Sequence, residues 1–143
     1  MNQLMKPRTV WLVSLLLTGA LLMSGCAERR KDALSITVDG RAWSEHASAS
    51  QISDDLEVHI TVDGEPVLTL PFSEAHTIDI LQPGVGENTV QMTGDAVYMA
   101  HADCENQDCV SMGEVTRENH ELRVMGGFIV CLPHKLSVEV RGN

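Results

Sequence analysis

The sequence contains few aromatic residues and few basic ones. Two tryptophans, one tyrosine and two phenylalanines occur among 143 residues, so the chain offers little surface on which bases or sugars could stack. Ten Lys and Arg residues stand against twenty Asp and Glu, which gives a formal net charge of −10. Because binding to a phosphate backbone requires clustered Lys and Arg, this composition argues against a nucleic-acid partner.

The sequence also lacks the common catalytic motifs. It contains no G-x-S-x-G, no phosphate-binding glycine loop and no H-E-x-x-H. No stretch after the N-terminal region keeps a helical periodicity over ten residues, and the apolar residues are mainly Val, Ile, Leu and Met. We therefore expect a non-enzymatic, mainly β protein with an aliphatic core.

The first 25 residues have the pattern of a bacterial signal peptide. Lys6 and Arg8 precede an apolar run of fourteen residues, 10–23. This run is shorter than the roughly 20 residues that cross a membrane as a helix, and Ser-Gly follows it directly before Cys26. The segment resembles a lipobox, in which the cysteine is lipidated and becomes the first residue of the mature protein. An uncleaved signal anchor is the alternative.

Either alternative would attach the chain to a membrane and place its remainder outside the cytoplasm. In a cell with two membranes, Ala27 in the second mature position is compatible with the outer membrane. Removal of residues 1–25 leaves eight basic and twenty acidic residues, so the formal charge of the mature part is 8 − 20 = −12. We expect an extracytoplasmic lipoprotein, with the membrane and a possible envelope protein as partners.

A regular alternation begins at residue 55. Leu56, Val58, Ile60 and Val62 share one face, and the residues between them are mostly polar, which is the pattern of a half-buried strand. The Asp-Gly pair at 63–64 predicts a tight hairpin turn, and VLTLPF predicts the returning strand.

Several further short strands follow at regular spacing. They are predicted at 77–81, 89–92, 96–100, 122–125, 128–132 and 136–140, with an additional one at 34–38. This spacing predicts a small antiparallel β-barrel or sandwich. We assign residues 1–25 to the signal peptide, 26–54 to the lipidated cysteine and a tether or loosely ordered segment, and 55–143 to the β-domain.

Three stretches resemble one known family. LEVHITVDGEPVLTL, HADCENQDCVSMG and GGFIVCLPHKLSVEV are similar, in order and spacing, to the NusG domain II-like family of small extracytoplasmic proteins. The resemblance implies a compact, barrel-like β-domain shaped like the second domain of the transcription factor NusG. A role in transcription does not follow, because a signal peptide and an acidic body contradict it, and a fold alone does not carry a function.

Three cysteines remain besides Cys26, and they lie in two short blocks. Cys104 and Cys109 belong to DCENQDC, and Cys131 belongs to IVCLPHK. Outside the cytoplasm such thiols tend to oxidise, so we expect one disulfide among the three. The sequence leaves the pairing open, and a structural cross-link is the first interpretation of the two blocks.

The same residues allow two other interpretations. Cys104, Cys109, Cys131 and His134 form a donor set suited to tetrahedral zinc, in which case zinc would be the cofactor. A redox-active dithiol is the other alternative, although the carboxylates of the DCENQDC block disfavour a thiolate. The methionines at 92, 99, 112 and 125 are more typical of core filling than of a copper site.

Overall fold

The computed structural model describes residues 33–44 and 55–142. Within these ranges the chain forms ten strands and one helical turn. They are β1 (Ser35–Val38), β2 (Arg41–Ala42), β3 (Leu56–Val62), β4 (Glu65–Pro71), β5 (Ala75–Gln82), β6 (Gly86–Thr93), β7 (Ala96–Ala102), α1 (Asp108–Ser111), β8 (Val115–Thr116), β9 (Phe128–Cys131) and β10 (Leu136–Gly142).

The strands form two antiparallel sheets. Sheet A has the order β2-β1-β5-β6-β7-β8, and sheet B has the order β4-β3-β10-β9. The prediction of a mainly β, antiparallel domain is therefore confirmed. No ladder joins the two sheets among the described strands, so they do not close into a barrel. In the same part of the chain, no helix has the length and apolar character needed to cross a bilayer.

Alternation along the strands produces one core shared by both sheets. The even-numbered residues of β3 are buried, as the sequence predicted, and the buried residues of β4, β5, β6 and β10 are even-numbered too. β9 buries its odd-numbered residues and β7 buries residues of both parities, and all of these side chains face the same interior. Every second residue of a regular strand points to the same side, so this alternation lines the inner face of each sheet with aliphatic side chains. The fully buried members include Ile60, Ile78, Val90, Met92 and Leu136.

Two Asp-Gly turns explain the repeated ITVDG of the sequence. Asp63 and Gly64 both adopt positive φ, at 54° and 85°, between β3 and β4. Asp39 and Gly40 do the same, at 52° and 74°, between β1 and β2. This backbone suits the right-handed twist of a hairpin and favours Asp-Gly at the two central positions. The repeat therefore encodes the same local structure twice.

Two outcomes concern the boundaries of the β structure. The strand expected at 34–38 is present as β1, which pairs with β5, so sheet A begins upstream of residue 55. The strand predicted at 122–125 is wrong, because these residues lie in consecutive turns. The loosely ordered segment predicted before β3 falls largely at 45–54, outside the described residues.

Candidate functional site

The three cysteines of the two blocks meet at the junction of the two sheets. Cys104 follows β7 of sheet A, Cys109 lies in α1, and Cys131 ends β9 of sheet B. Their Sγ atoms all lie within 4.8 Å of one another, and those of Cys104 and Cys109 are 3.8 Å apart. All three residues are buried and carry free thiols. We call this group the cysteine cluster.

A tight loop brings Cys109 back over Cys104. Gln107 has a φ of 53°, and its side-chain amide donates hydrogen bonds to the carbonyls of Ala102 and Cys104, both at 2.6 Å. The single turn of α1 follows, and Met112 closes it by donating its N–H to the Asp108 carbonyl at 3.0 Å. Hydrogen bonds from the Gln107 side chain and within the backbone of the loop thus hold both cysteines in place.

The surroundings of Cys109 disfavour its thiolate form. Burial raises the pKa of the Cys109 thiol to about 12, and the neighbouring thiols of Cys131 and Cys104 add to the effect. A thiol with such a pKa is neutral at physiological pH, and the neutral thiol is a poor nucleophile. The environment of Cys109 therefore disfavours thiol-based catalysis.

His134 does not join the cysteines. Its Nδ1 lies 2.7 Å from Asn88 Oδ1, and its Nε2 lies 3.2 Å from Asp103 Oδ1. Both ring nitrogens are therefore engaged, and the metal-ligating group of the described residues contains the three cysteines without His134. Of the predicted zinc set of Cys104, Cys109, Cys131 and His134, the structure thus brings together the three cysteines but not the histidine. The reason is the turn between β9 and β10, which directs the ring toward β6.

A second junction between the sheets surrounds His134. Asn88 on β6 and His134 are buried, and Gln82 on β5 donates its side-chain N–H to the His134 carbonyl at 3.0 Å. Asp103 also accepts a hydrogen bond from the Glu87 N–H at 2.8 Å. We call Gln82, Asn88, Asp103 and His134 the histidine network. It links the β9–β10 turn of sheet B to β5, β6 and the end of β7 in sheet A.

Gly86 gives the histidine network its tight packing. A Cβ atom at this position would lie 2.5 Å from Asp103 Oδ1 and would also clash with His134 Nε2. The backbone of β6 can approach the network this closely only because residue 86 has no side chain.

Sequence reasoning missed Gln82 and Asn88. A usable signal existed, because Gln82 continues the buried parity of Ile78 and Ile80, and Asn88 precedes Val90 on the buried side of β6. A polar side chain at an inward position of a strand must find a hydrogen-bond partner in the core.

A third feature is an exposed apolar segment, residues 117–127, which we call the apolar loop. Leu122 and Val124 are 84% and 104% exposed, and Met125 is 51% exposed. Arg123 points inward between them and donates hydrogen bonds to the carbonyls of Met112, Gly126 and Phe128 at 2.7, 3.4 and 3.2 Å. An open depression of about 360 Å³ lies between the loop and Met112.

The fold and the junction together define the class of protein, a small domain of two antiparallel sheets with three buried cysteines where the sheets meet. The sequence matches the family described as NusG domain II over residues 10–143, and the chain belongs to this family. The resemblance inferred from the three sequence stretches is thereby confirmed. No curated protein matches the sequence.

Solved structures show the same fold. The Lin0431 protein from Listeria innocua aligns with a TM-score of 0.53 at 24% identity, over 63% of this chain and 99% of that one. A DUF1312 family protein from Enterococcus faecalis V583 aligns with a TM-score of 0.54 at 19% identity, over 62% of this chain and 98% of that one. Likeness at these identities concerns the fold and not the function.

Proposed function

We propose that this chain is an extracytoplasmic lipoprotein whose disulfide-stapled β-domain acts as a binding or accessory module and not as an enzyme. The observation that carries the binding role is the apolar loop, which presents Leu122, Val124 and Met125 to solvent. Contiguous apolar side chains on a protein surface are typical of an interaction site.

The apolar loop is held in one conformation before any partner arrives. Arg123 ties it to three backbone carbonyls, and the Asn119 side chain accepts from the Thr116 N–H at 2.8 Å and donates to the Glu114 carbonyl at 3.1 Å. Ordering a loop on binding costs conformational entropy, so a loop ordered in advance binds more tightly. These hydrogen bonds therefore favour an interaction surface over a solvated linker.

The negative charge of the domain indicates which kind of partner it would attract. Glu118 and Glu121 are exposed on the apolar loop, whereas its two cations are engaged, Arg117 by Asp55 and Arg123 by backbone carbonyls. The mature chain carries a formal charge of −12. An anionic membrane surface would repel such a domain, whereas a protein with an apolar patch and a basic rim would attract it. We therefore propose an envelope protein of that chemistry as the partner, with the membrane engaged through the lipid on Cys26.

Anchoring is tested separately, because Cys26 lies outside the described residues. The variant Cys26→Ala should lose both lipid attachment and processing at that site, since the thioether to the lipid needs the thiol. Metabolic labelling with palmitate measures this. Equal label on variant and wild type would remove the lipoprotein from the proposal.

The binding surface is tested by a photo-crosslinking side chain at residue 124, compared with one at Val85, which is 54% exposed outside the apolar loop. We expect a discrete protein adduct from position 124 alone. The adduct protein, once purified, should bind wild-type chain but not Val124→Asp, with an affinity that falls as salt rises. Adducts of lipid alone, or equal adducts from both positions, would contradict the proposed partner.

A further inference from the structure

The cysteine cluster holds a donor set that the proposed binding role does not use. Three sulfur atoms converge, and among the described residues no imidazole or carboxylate belongs to the same group. Soft thiolate sulfur selects soft cations such as Cu(I), whereas calcium and magnesium require oxygen ligands. The chemistry of the donors therefore points to a soft metal ion.

The spacing of the sulfurs suits three-coordinate binding. With metal–sulfur bonds of about 2.3 Å, three ligands in a trigonal plane lie about 4.0 Å from one another. The Sγ atoms of Cys104 and Cys109 are 3.8 Å apart, and no pair in the cluster exceeds 4.8 Å. Small side-chain rotations would bring the third sulfur, that of Cys131, to the same spacing.

A structural zinc ion fits the site less well. Zinc in such sites takes four ligands, and both ring nitrogens of His134 are engaged by Asn88 and Asp103. Solvent is a poor substitute for the missing ligand, because Cys109 and Cys131 are each only 1% exposed. Cu(I) is satisfied by three sulfurs and needs no fourth ligand.

We propose that the reduced cysteine cluster is a Cu(I) site formed by the Sγ atoms of Cys104, Cys109 and Cys131. Binding replaces three thiol protons, which pass to the buffer, by one Cu⁺, and no electron is transferred. The exposed carboxylates of Asp103, Glu105 and Asp108 provide a negative field that attracts the ion. This inference is independent of the binding role of the apolar loop.

The site and the expected disulfide exclude each other. Oxidation of any two of the three thiols removes two of the three ligands, so only the reduced protein should bind Cu(I). The oxidised protein therefore serves as a control with the same sequence as the reduced protein. The comparison stays valid even where a cysteine variant fails to fold.

The experiment uses the full chain with Cys26→Ala, which removes the only other thiol, purified in detergent without oxygen and with its thiols reduced. Cu(I) is titrated against a chromogenic Cu(I) chelator, and X-ray absorption reports the ligands. We expect one Cu(I) per chain with three sulfur neighbours at about 2.3 Å. The oxidised sample should bind none.

Variants locate the ligands. Each of Cys104→Ser, Cys109→Ser and Cys131→Ser should weaken binding by more than the roughly 100-fold that changes around a metal site can cost. His134→Gln should leave the affinity unchanged within about threefold, because the ring is not a ligand. Circular dichroism verifies that each variant is folded. Binding by oxidised protein, a nitrogen neighbour in the absorption spectrum, or full affinity in all three cysteine variants would overturn the proposal.

Discussion

The cysteine cluster and the histidine network join the same two sheets by opposite means. Neighbouring residues supply both, since Asp103 and Cys104 follow β7, while Cys131 and His134 flank the β9–β10 turn. The three cysteines of the cluster are buried, and a thiol is only weakly polar. The network consists of polar groups, all buried except Asp103, that depend on one another for hydrogen bonds.

This difference determines how well each junction tolerates the substitution of one of its residues. A buried thiol behaves as a small apolar side chain, so its loss leaves a small cavity and no unpaired polar atom. Loss of one member of the histidine network leaves a buried partner such as Asn88 without its hydrogen bond, which costs more than the bond itself contributed. The network should therefore respond more strongly to substitution than the cluster.

The largest effect is expected for His134→Ala. It should lower the free energy of unfolding by about 4 kcal/mol, because it creates a cavity and leaves the buried Asn88 Oδ1 without its His134 partner. Urea unfolding measures the change. His101→Ala is the matched control, since that ring is 54% exposed and should change stability by less than about 0.5 kcal/mol. Similar losses in the two variants would show that the network is not a structural junction.

Oxidation of the cysteine cluster should produce the next largest effect. A cystine formed by Cys104 and Cys109 closes a short loop and should stabilise the domain by roughly 2 kcal/mol, and one formed by Cys109 and Cys131 by roughly 3.5 kcal/mol. Unfolding with and without reductant, together with mass mapping of the cystine, separates these results. Equal midpoints with three free thiols in the oxidised sample would refute the cross-link.

Gly86→Ala should have a moderate effect confined to the histidine network. The added Cβ would collide with His134 and Asp103, so we expect a loss of about 2 kcal/mol. Gly142→Ala serves as the control, because its Cβ would meet only the Asp55 carbonyl at 3.8 Å, an ordinary contact. Cystine formation should be the same in both variants. A change in cystine formation in Gly86→Ala would mean that the two junctions are coupled.

The smallest effect concerns His76, a half-buried counterpart of the buried His134. Burial lowers the pKa of His76, but hydrogen bonds to Glu74 and Asp39 outweigh it, so the pKa lies above its usual 6.5. The folded protein therefore holds this proton more tightly than the unfolded chain does. The resulting stability is present below about pH 6.5 and is lost as the pH rises through the raised pKa.

This loss should appear as faster hydrogen exchange in residues 35–42, since Asp39 lies in the β1–β2 turn. After correction for intrinsic rates, we expect a change below about 1 kcal/mol, because solvent screens the pair. His76→Gln should remove the pH dependence. Loosening of the hairpin on acidification in the wild type would reverse the sign and contradict the assignment.

Local sequence patterns predicted most of the fold, but they did not predict that the cysteines and His134 belong to two separate junctions between the sheets. The alternation of apolar and polar residues predicted which face of a strand such as β3 is buried. The two Asp-Gly pairs predicted residues of positive φ, and both form turns between strands. The strand expected at 122–125 fails because Arg123 and Asn119 bind backbone groups of their own surroundings, which stabilises turns instead.

The candidate site shows the same limit. The two cysteine blocks do meet, as their chemistry suggested, but Cys131 and His134 diverge although only two residues separate them. Residues across a turn have no fixed angular relation, unlike residues on one strand or helix, so sequence spacing could not place the ring. Its true partners, Gln82 and Asn88, came from strands distant in sequence.

The strand order of sheet B has a consequence for how the chain folds. β10 lies between β3 and β9, and it pairs Leu136 with Val62 and Gly142 with Leu56. Strands β5 to β8 of sheet A instead pair with their immediate successors, so they can form hairpins early and locally. The β3–β4 hairpin must wait for β10, and closing that long loop is the slow entropic step. Until β10 docks, the apolar faces of both halves stay open to water and to other unfolded chains.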